Sequence, residues 1–306
     1  MTDSARGIWA MVWACLIWGL SPLYYKLLSH IAPIEVLAHR TLWSFGFFAL
    51  LLLGQNRLSQ LWAAMASPRA LLVLFFAALM ISTNWFVFIL SIQIGHATEA
   101  SLGYYLFPLV AVALGRVVFK ERLDRGQKTA VALAMAAVVV LSLGLGVAPW
   151  VALILSSSFG LYGLIKKRLT TGPVVSVTAE VLLLCPIALA VLYWRHSSGT
   201  GVFGTQFFDS ALLAFSGILT ASPLIFFSYA TKRVRLGTIG LVQYLNPSLQ
   251  FFCAVVVFGE PFGPWHATAF ALIWAALLIY TVAALRQESA ARRAAPKAGT
   301  SPTTCT

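Results

Sequence analysis

Charge is scarce in this sequence. Only 10% of its 306 residues are Asp, Glu, Lys or Arg, against about 25% in a soluble domain. So few charges cannot cover a water-facing exterior, which excludes a soluble globular protein. Acidic residues are scarcest: nine Asp and Glu stand against 21 Lys and Arg, a net charge of +12. That excess alone would suit nucleic acid. The basic residues lie between apolar blocks and not along one face, so no nucleic-acid partner is expected. The four cysteines (Cys15, Cys185, Cys253 and Cys305) have no paired spacing. They support neither a disulfide framework nor a zinc site, and read as small packing residues. No His-Glu-x-x-His, Gly-x-Ser-x-Gly or two-Cys/two-His set occurs. His30, His39, His96, His196 and His266 are scattered. No metal, cofactor or catalytic residue is expected, and an intramembrane enzyme is a weak rival reading.

What the sequence does have is apolar length. Its mean hydropathy is +0.87 and 60% of it is hydrophobic. The apolar residues come in blocks of about 20, enough to cross a hydrocarbon core of about 30 Å. The spans fall at 7–27, 34–53, 69–92, 98–119, 127–146, 149–166, 173–194, 209–230, 237–259 and 263–285. The fold class expected is an all-α polytopic membrane protein of ten transmembrane helices, with the lipid bilayer as its surroundings. The first span contains Pro22 and runs on to Tyr24-Tyr25-Lys26 without a small-residue cleavage site. It therefore reads as a span and not as a removable signal. Leu58, Leu61, Trp62 and Met65 recur at i, i+3, i+4 and i+7, which predicts a short interfacial helix. Residues 195–208 are Gly/Ser-rich and read as a mobile connection. Residues 287–306 have no apolar periodicity and read as a disordered cytoplasmic tail.

Seventeen of the 21 Lys and Arg residues fall on the side of the N-terminus, among them Arg57, Lys128, Lys166, Lys232, Arg233 and Arg286. The opposite loops hold only Arg195. The positive-inside rule then places both termini in the cytoplasm.

One stretch occurs twice. Tyr105-Leu106-Phe107-Pro108, with Glu121 thirteen residues on from Pro108, matches Tyr244-Leu245-Asn246-Pro247 with Glu260, at an offset of 139. Residues 77–121 over 216–260 give nine identities in 45 positions, seven of them in the last 17. Composition alone does not put a Tyr, a Pro and a Glu in one register. The chain reads as two halves, 1–146 and 147–286, with five spans each. Five is odd, so the second half enters the bilayer from the opposite face. Inverted halves of this kind are typical of secondary transporters, whose substrate site lies between them near the midplane. Two fused halves can work as a monomer; a weak dimer is the other expectation. A gated channel is the second rival, and saturable flux with counterflow separates a carrier from a pore.

This arrangement resembles the drug/metabolite transporter superfamily with two EamA domains. Glu99-Ala100-Ser101-Leu102-Gly103-Tyr104, Glu35 with His39-Arg40 and Trp43-Ser44, and Trp18-Gly19 are similar to its RarD-like branch. The resemblance covers about residues 7–286. It implies a permease of the bacterial inner membrane that exports or exchanges small organic metabolites or drugs, in a branch associated with chloramphenicol sensitivity. The small four-helix multidrug members place a key Glu in their first helix. This chain has no acidic residue between Gly7 and Leu28, so their proton-antiport mechanism does not carry over.

Candidate cavity residues follow from depth. Pro108 and Pro247 fall at mid-span, and each frees the carbonyl four residues back, on Tyr104 and Gln243. Such carbonyls are tolerated at that depth when they line a cavity or find neighbours. Tyr104, Tyr105, Gln243, Tyr244 and Asn246 surround them; Pro22 and Pro223 are further kinks. Asn84 either bonds a small-molecule substrate or bridges to a neighbouring helix. Trp85 and Trp18 either pack or hold a planar solute. Charge inside a span costs about 2.5–3.5 kcal/mol, so Arg40 and Glu180 mark a cavity or a local partner. Aligning Pro33 with Pro173 makes them equivalent. Arg40 suits an anionic group, or else a Tyr or backbone partner. Glu180 suits a cation or a coupled proton, or else a local structural partner. His39 is a further cavity candidate, or else it pairs with Glu35, four residues away, while Glu99, Asp209 and Glu260 read as interfacial.

Overall fold

The computed structural model describes residues 2–120, 123–146, 148–167, 169, 171–234 and 236–294. Its regular elements are helices: α1 (Asp3–Leu27), α2 (Pro33–Gly54), α3 (Leu58–Ala64), α4 (Pro68–Gln93), α5 (Ala97–Phe119), α6 (Arg125–Leu145), α7 (Trp150–Lys167), α8 (Pro173–Ser197), α9 (Phe207–Thr231), α10 (Leu236–Gln243), α11 (Leu245–Phe252) and α12 (Pro264–Ala294). Among the described residues, nine helical stretches are long and apolar enough to cross a membrane, and Trp150–Lys166 is a shorter apolar helix. The chain is an all-helical, multi-pass membrane protein.

The helix starts are written in the sequence. Thr2 accepts from the Ala5 N–H and Ser67 from the Ala70 N–H. Asp124 and Gln127 close a reciprocal capping box, which supplies two of the otherwise orphaned donors of a first turn. Proline opens α2, α4 and α8, where its missing N–H has no intrahelical partner to lose.

The exterior is apolar and much of the polarity is inside. Trp9, Trp13, Trp62, Trp194 and Phe207 are exposed, while Glu35, Ser44, Asn84, Ser101 and Glu180 are buried. A hydrocarbon solvent favours that distribution. Of the short interfacial helix, Leu61 is buried and Trp62 exposed, and Leu58 and Met65 pack on the cluster of Val175 and Ala179 from α8.

Several expectations change here. The ninth span is not one kinked helix. It breaks at Tyr244 into α10 and α11 and continues through a π-helical turn, Cys253–Val257. Pro247 cannot donate to the Gln243 carbonyl, and the helix restarts with the Ser248 N–H on the Tyr244 carbonyl. Its counterpart α5 stays continuous around Pro108. Pro22 and Pro223 lie inside α1 and α9 as expected, and Pro186, which the sequence did not mark as a kink, lies inside α8. Helix α12 runs to Ala294, into the stretch expected as tail; residues 295–306, Glu121, Arg122, Arg168 and Arg235 lie outside the described residues.

The connection expected to be mobile is tied down instead. Helix α8 continues to Ser197. The Val202 N–H donates to Glu35 (2.7 Å), the Arg195 guanidinium to the Thr200 carbonyl, and His196 Nε2 lies 3.0 Å from the Phe203 carbonyl. Gly and Ser supply tight turns as readily as they supply flexibility, and here these hydrogen bonds, one of them to the buried Glu35, fix the turns.

Close approaches between helices rely on glycine. A Cβ on Gly217 of α9 would stand 2.6 Å from the backbone of Trp43 in α2, whereas one on Gly46 would meet nothing within 4 Å. Gly217→Ala is expected to destabilise by about 1–3 kcal/mol through overpacking, with Gly46→Ala neutral. Thermal-unfolding midpoints in detergent check this; equal midpoints for the two variants contradict it.

Packing joins α1 to α9 and α11, α2 to α8 and α9, α4 to α7 and α8, α5 to α7 and α11, and α6 to α12.

Candidate functional site

Helix α2 carries Arg40 and Ser44 one turn apart on one face. Both are buried. Arg40 Nη1 donates to the Tyr25 hydroxyl at 2.6 Å. Its guanidinium lies 4.1 Å from the ring centroid of Trp85 and 5.7 Å from that of Tyr25. Tyr25 stands edge-on to Phe88, and Phe88 edge-on to Tyr104. The Tyr104 hydroxyl donates to Asn84 Oδ1 at 2.8 Å, and Asn84 Nδ2 donates to the Leu155 carbonyl and to Ser158 Oγ. Arg40, Trp85, Asn84 and Tyr104 thus belong to one buried cluster built from α1, α2, α4, α5 and α7. Asn84 takes the helix-bridging role. Tyr25 was missed as a site residue; its place beside Lys26 at the end of the first span was the available signal. Among the described residues Arg40 Nε and Ser44 Oγ are buried without a hydrogen-bond partner. An orphaned buried donor costs about 1–3 kcal/mol, and more when charged.

The repeated motifs meet each other. Tyr105 Oη and Ser248 Oγ share a 2.6 Å hydrogen bond, and the Tyr105 ring stands edge-on to Phe270 and Trp274. Tyr244 is half-buried against the same cluster. Asn246 Oδ1 accepts from Gln250 Nε2, and the Asn246 carbonyl approaches Gly19 of α1 so closely that a Cβ there would stand 3.0 Å from it. Gln243 is half-buried. Trp18 tilts onto Phe227 of α9, outside the Arg40 cluster.

Glu180 has local partners. Lys166 Nζ donates to it at 2.6 Å and the Tyr162 hydroxyl at 3.0 Å, and Lys166 Nζ also donates to Ser176 Oγ. Lys166, counted from sequence among the cations outside the membrane, is drawn inward by this carboxylate.

Glu35 and His39 do not pair. Glu35 accepts from Arg195 Nε (3.2 Å) and the Val202 N–H, while His39 stacks on Phe203 at 4.7 Å. The loop reaches α2 from a distant part of the chain and outcompetes the i,i+4 neighbour. Glu99 and Asp209 lie in the first turns of α5 and α9, near the span ends as expected, but are buried within the protein; they bond His96 and His30. Glu260 caps α5, each carboxylate oxygen accepting one N–H, from Ala97 and Thr98, at 2.7 Å. An anion there also meets the positive end of the helix dipole.

Among the described residues an apolar exterior, nine helical stretches of membrane length with one shorter apolar helix, and a buried cluster around Arg40 define a multi-pass membrane protein with a polar interior. A model of the EamA-like transporter family matches residues 5–143. The chain is 43% identical to Protein RarD of Streptomyces exfoliatus, over 88% of this chain and 86% of that one. It is 38% identical to the uncharacterized transporter YojE of Bacillus subtilis (strain 168), over 95% and 98% respectively. A solved crystal structure shares the fold with a TM-score of 0.58 at 18% identity, covering 91% of this chain and 98% of that one. The protein belongs to the EamA-like transporter family of the drug/metabolite transporter superfamily, in its RarD group.

Proposed function

We propose that the protein is a secondary transporter of the bacterial inner membrane. It moves small organic metabolites or drugs by alternating access between two inverted five-helix halves, residues 1–146 and 147–286, with both termini cytoplasmic. The packing pattern carries this reading. Exchanging α1 with α7, α2 with α8, α4 with α9, α5 with α10–α11 and α6 with α12 turns each of the pairs named above into another of them. Thus α1 on α9 becomes α7 on α4, and α1 on α11 becomes α7 on α5. The pairs α2–α8, α5–α11 and α6–α12 map onto themselves, as pairs on a two-fold axis do. With five spans per half, such an axis lies in the membrane plane. A two-fold pair supplies two mirror-related packings of similar energy, which is what an alternating carrier needs.

Two measurements test it. Reporter fusions after Gln55 and after Gly172 are expected to report the cytoplasmic side, and one after Thr200 the outer side; the same sense of threading in both halves excludes inversion. Proteoliposomes are expected to show saturable counterflow with at least one member of a panel of amino acids, organic acids and chloramphenicol; ohmic current without counterflow indicates a pore. If a proton is the coupling ion and Glu180 carries it, Glu180→Gln flattens the pH profile of flux. An unchanged profile removes Glu180 from coupling.

A further inference from the structure

We propose that Arg40 is a carboxylate-binding residue, and that the solutes carried are small monocarboxylates held at its free edge; this rests on the transport reading above.

A guanidinium has two useful edges. Nη1 of Arg40 is occupied by the Tyr25 hydroxyl. On the other edge, Nε is buried and has no hydrogen-bond partner among the described residues. That edge is the planar fork that fits the two oxygens of a carboxylate. The residue is only 7% exposed and its Nε is buried, so that donor is not simply left to water. One face of the guanidinium is covered by Trp85 at 4.1 Å, which holds its plane. Ser44, one turn along the same face of α2, offers a second buried hydroxyl without a partner.

The carboxylates on α2 and at the start of α9 are already engaged. Glu35 holds Arg195 and the Val202 N–H, and Asp209 bonds His30. The second half of the chain shows what is missing. In the register that places Pro33 on Pro173, Lys26 and Arg40 fall on Lys166 and Glu180. Lys166 and Glu180 neutralise each other. In the first half both positions are cations, and Lys26 turns away to lie over the Phe258 ring. Arg40 therefore keeps a buried positive charge without an internal counter-ion among the described residues. A buried charge is tolerated when paired, and a substrate carboxylate supplies the pair.

The test uses the purified full chain in detergent and radiolabelled probes: pyruvate, benzoate and phenylalanine, each compared with its own amide. At least one acid is expected to bind tenfold or more tightly than its amide. Arg40→Gln is expected to erase that preference and Arg40→Lys to keep part of it. The acid-to-amide ratio of the unaltered chain decides the matter even where Arg40→Gln fails to fold. Equal binding of every acid and its amide overturns the proposal, as does binding of none of the acids, or an Arg40→Gln chain that keeps the preference. Counterflow separates the two claims. An acid that binds through Arg40 but does not exchange leaves the site standing and removes transport. Flux indifferent to Arg40 does the reverse.

Discussion

Replacing Lys166 with methionine is expected to destabilise the protein by about 3–5 kcal/mol, the usual consequence of removing one partner from a buried ion pair. Glu180 is only 1% exposed and lies seven residues inside α8. Its oxygens accept from Lys166 and from Tyr162. Without the ammonium, a carboxylate remains in low dielectric with one phenol to hold it, and Ser176 loses a donor. The double variant Lys166→Met/Glu180→Met removes both charges and is expected to recover most of the loss, because a buried pair is often replaceable by apolar side chains of similar volume. Thermal-unfolding midpoints of the two variants check this. A double variant as unstable as the single one shows that shape, not charge, governs the site.

The second large effect is expected at Glu35. This residue is fully buried and binds two separate elements: the Arg195 guanidinium at the end of α8 and the Val202 N–H in the following loop. Glu35→Ala leaves Arg195, whose side chain is 18% exposed, without its carboxylate, and orphans a backbone donor. A loss of about 3–5 kcal/mol follows from the broken buried pair. The loop is expected to loosen with it, although Phe203 keeps its ring contacts with His39 and Trp43 and its carbonyl contact with His196. Hydrogen exchange at residues 200–205 reads the loosening directly. Unchanged protection there means that the aromatic contacts alone fix the loop.

Both predictions concern residues whose partners local pattern could not name. Glu35 stands four residues from His39, and helical spacing pairs them. The actual partners lie about 160 residues away, where a half-buried guanidinium and a loop N–H compete better than the imidazole one turn on. Lys166 reads as one of three basic residues marking a cytoplasmic loop, yet the field of Glu180 draws it inward. Residues 198–206 have the composition of a mobile linker. Composition records what a loop can adopt, and burial of its backbone donors decides what it does adopt. The same limit applies to the repeated motif: both prolines are visible, but only Pro247 accompanies a broken helix.

The sequence alone determined the solvent. Apolar blocks of membrane length with 10% charge have no stable arrangement in water, and the helical segments, the short helix α3 and the places of Arg40, Asn84 and Glu180 within their spans follow from spacing along single helices. Tertiary structure decided the partners: Tyr25 and Trp85 for Arg40, Tyr104 and Ser158 for Asn84, Lys166 for Glu180, and the Ala97 and Thr98 amides for Glu260. The division has one physical cause. Transfer into lipid is a sum over a local segment, whereas satisfying a buried polar group depends on which distant helix arrives beside it.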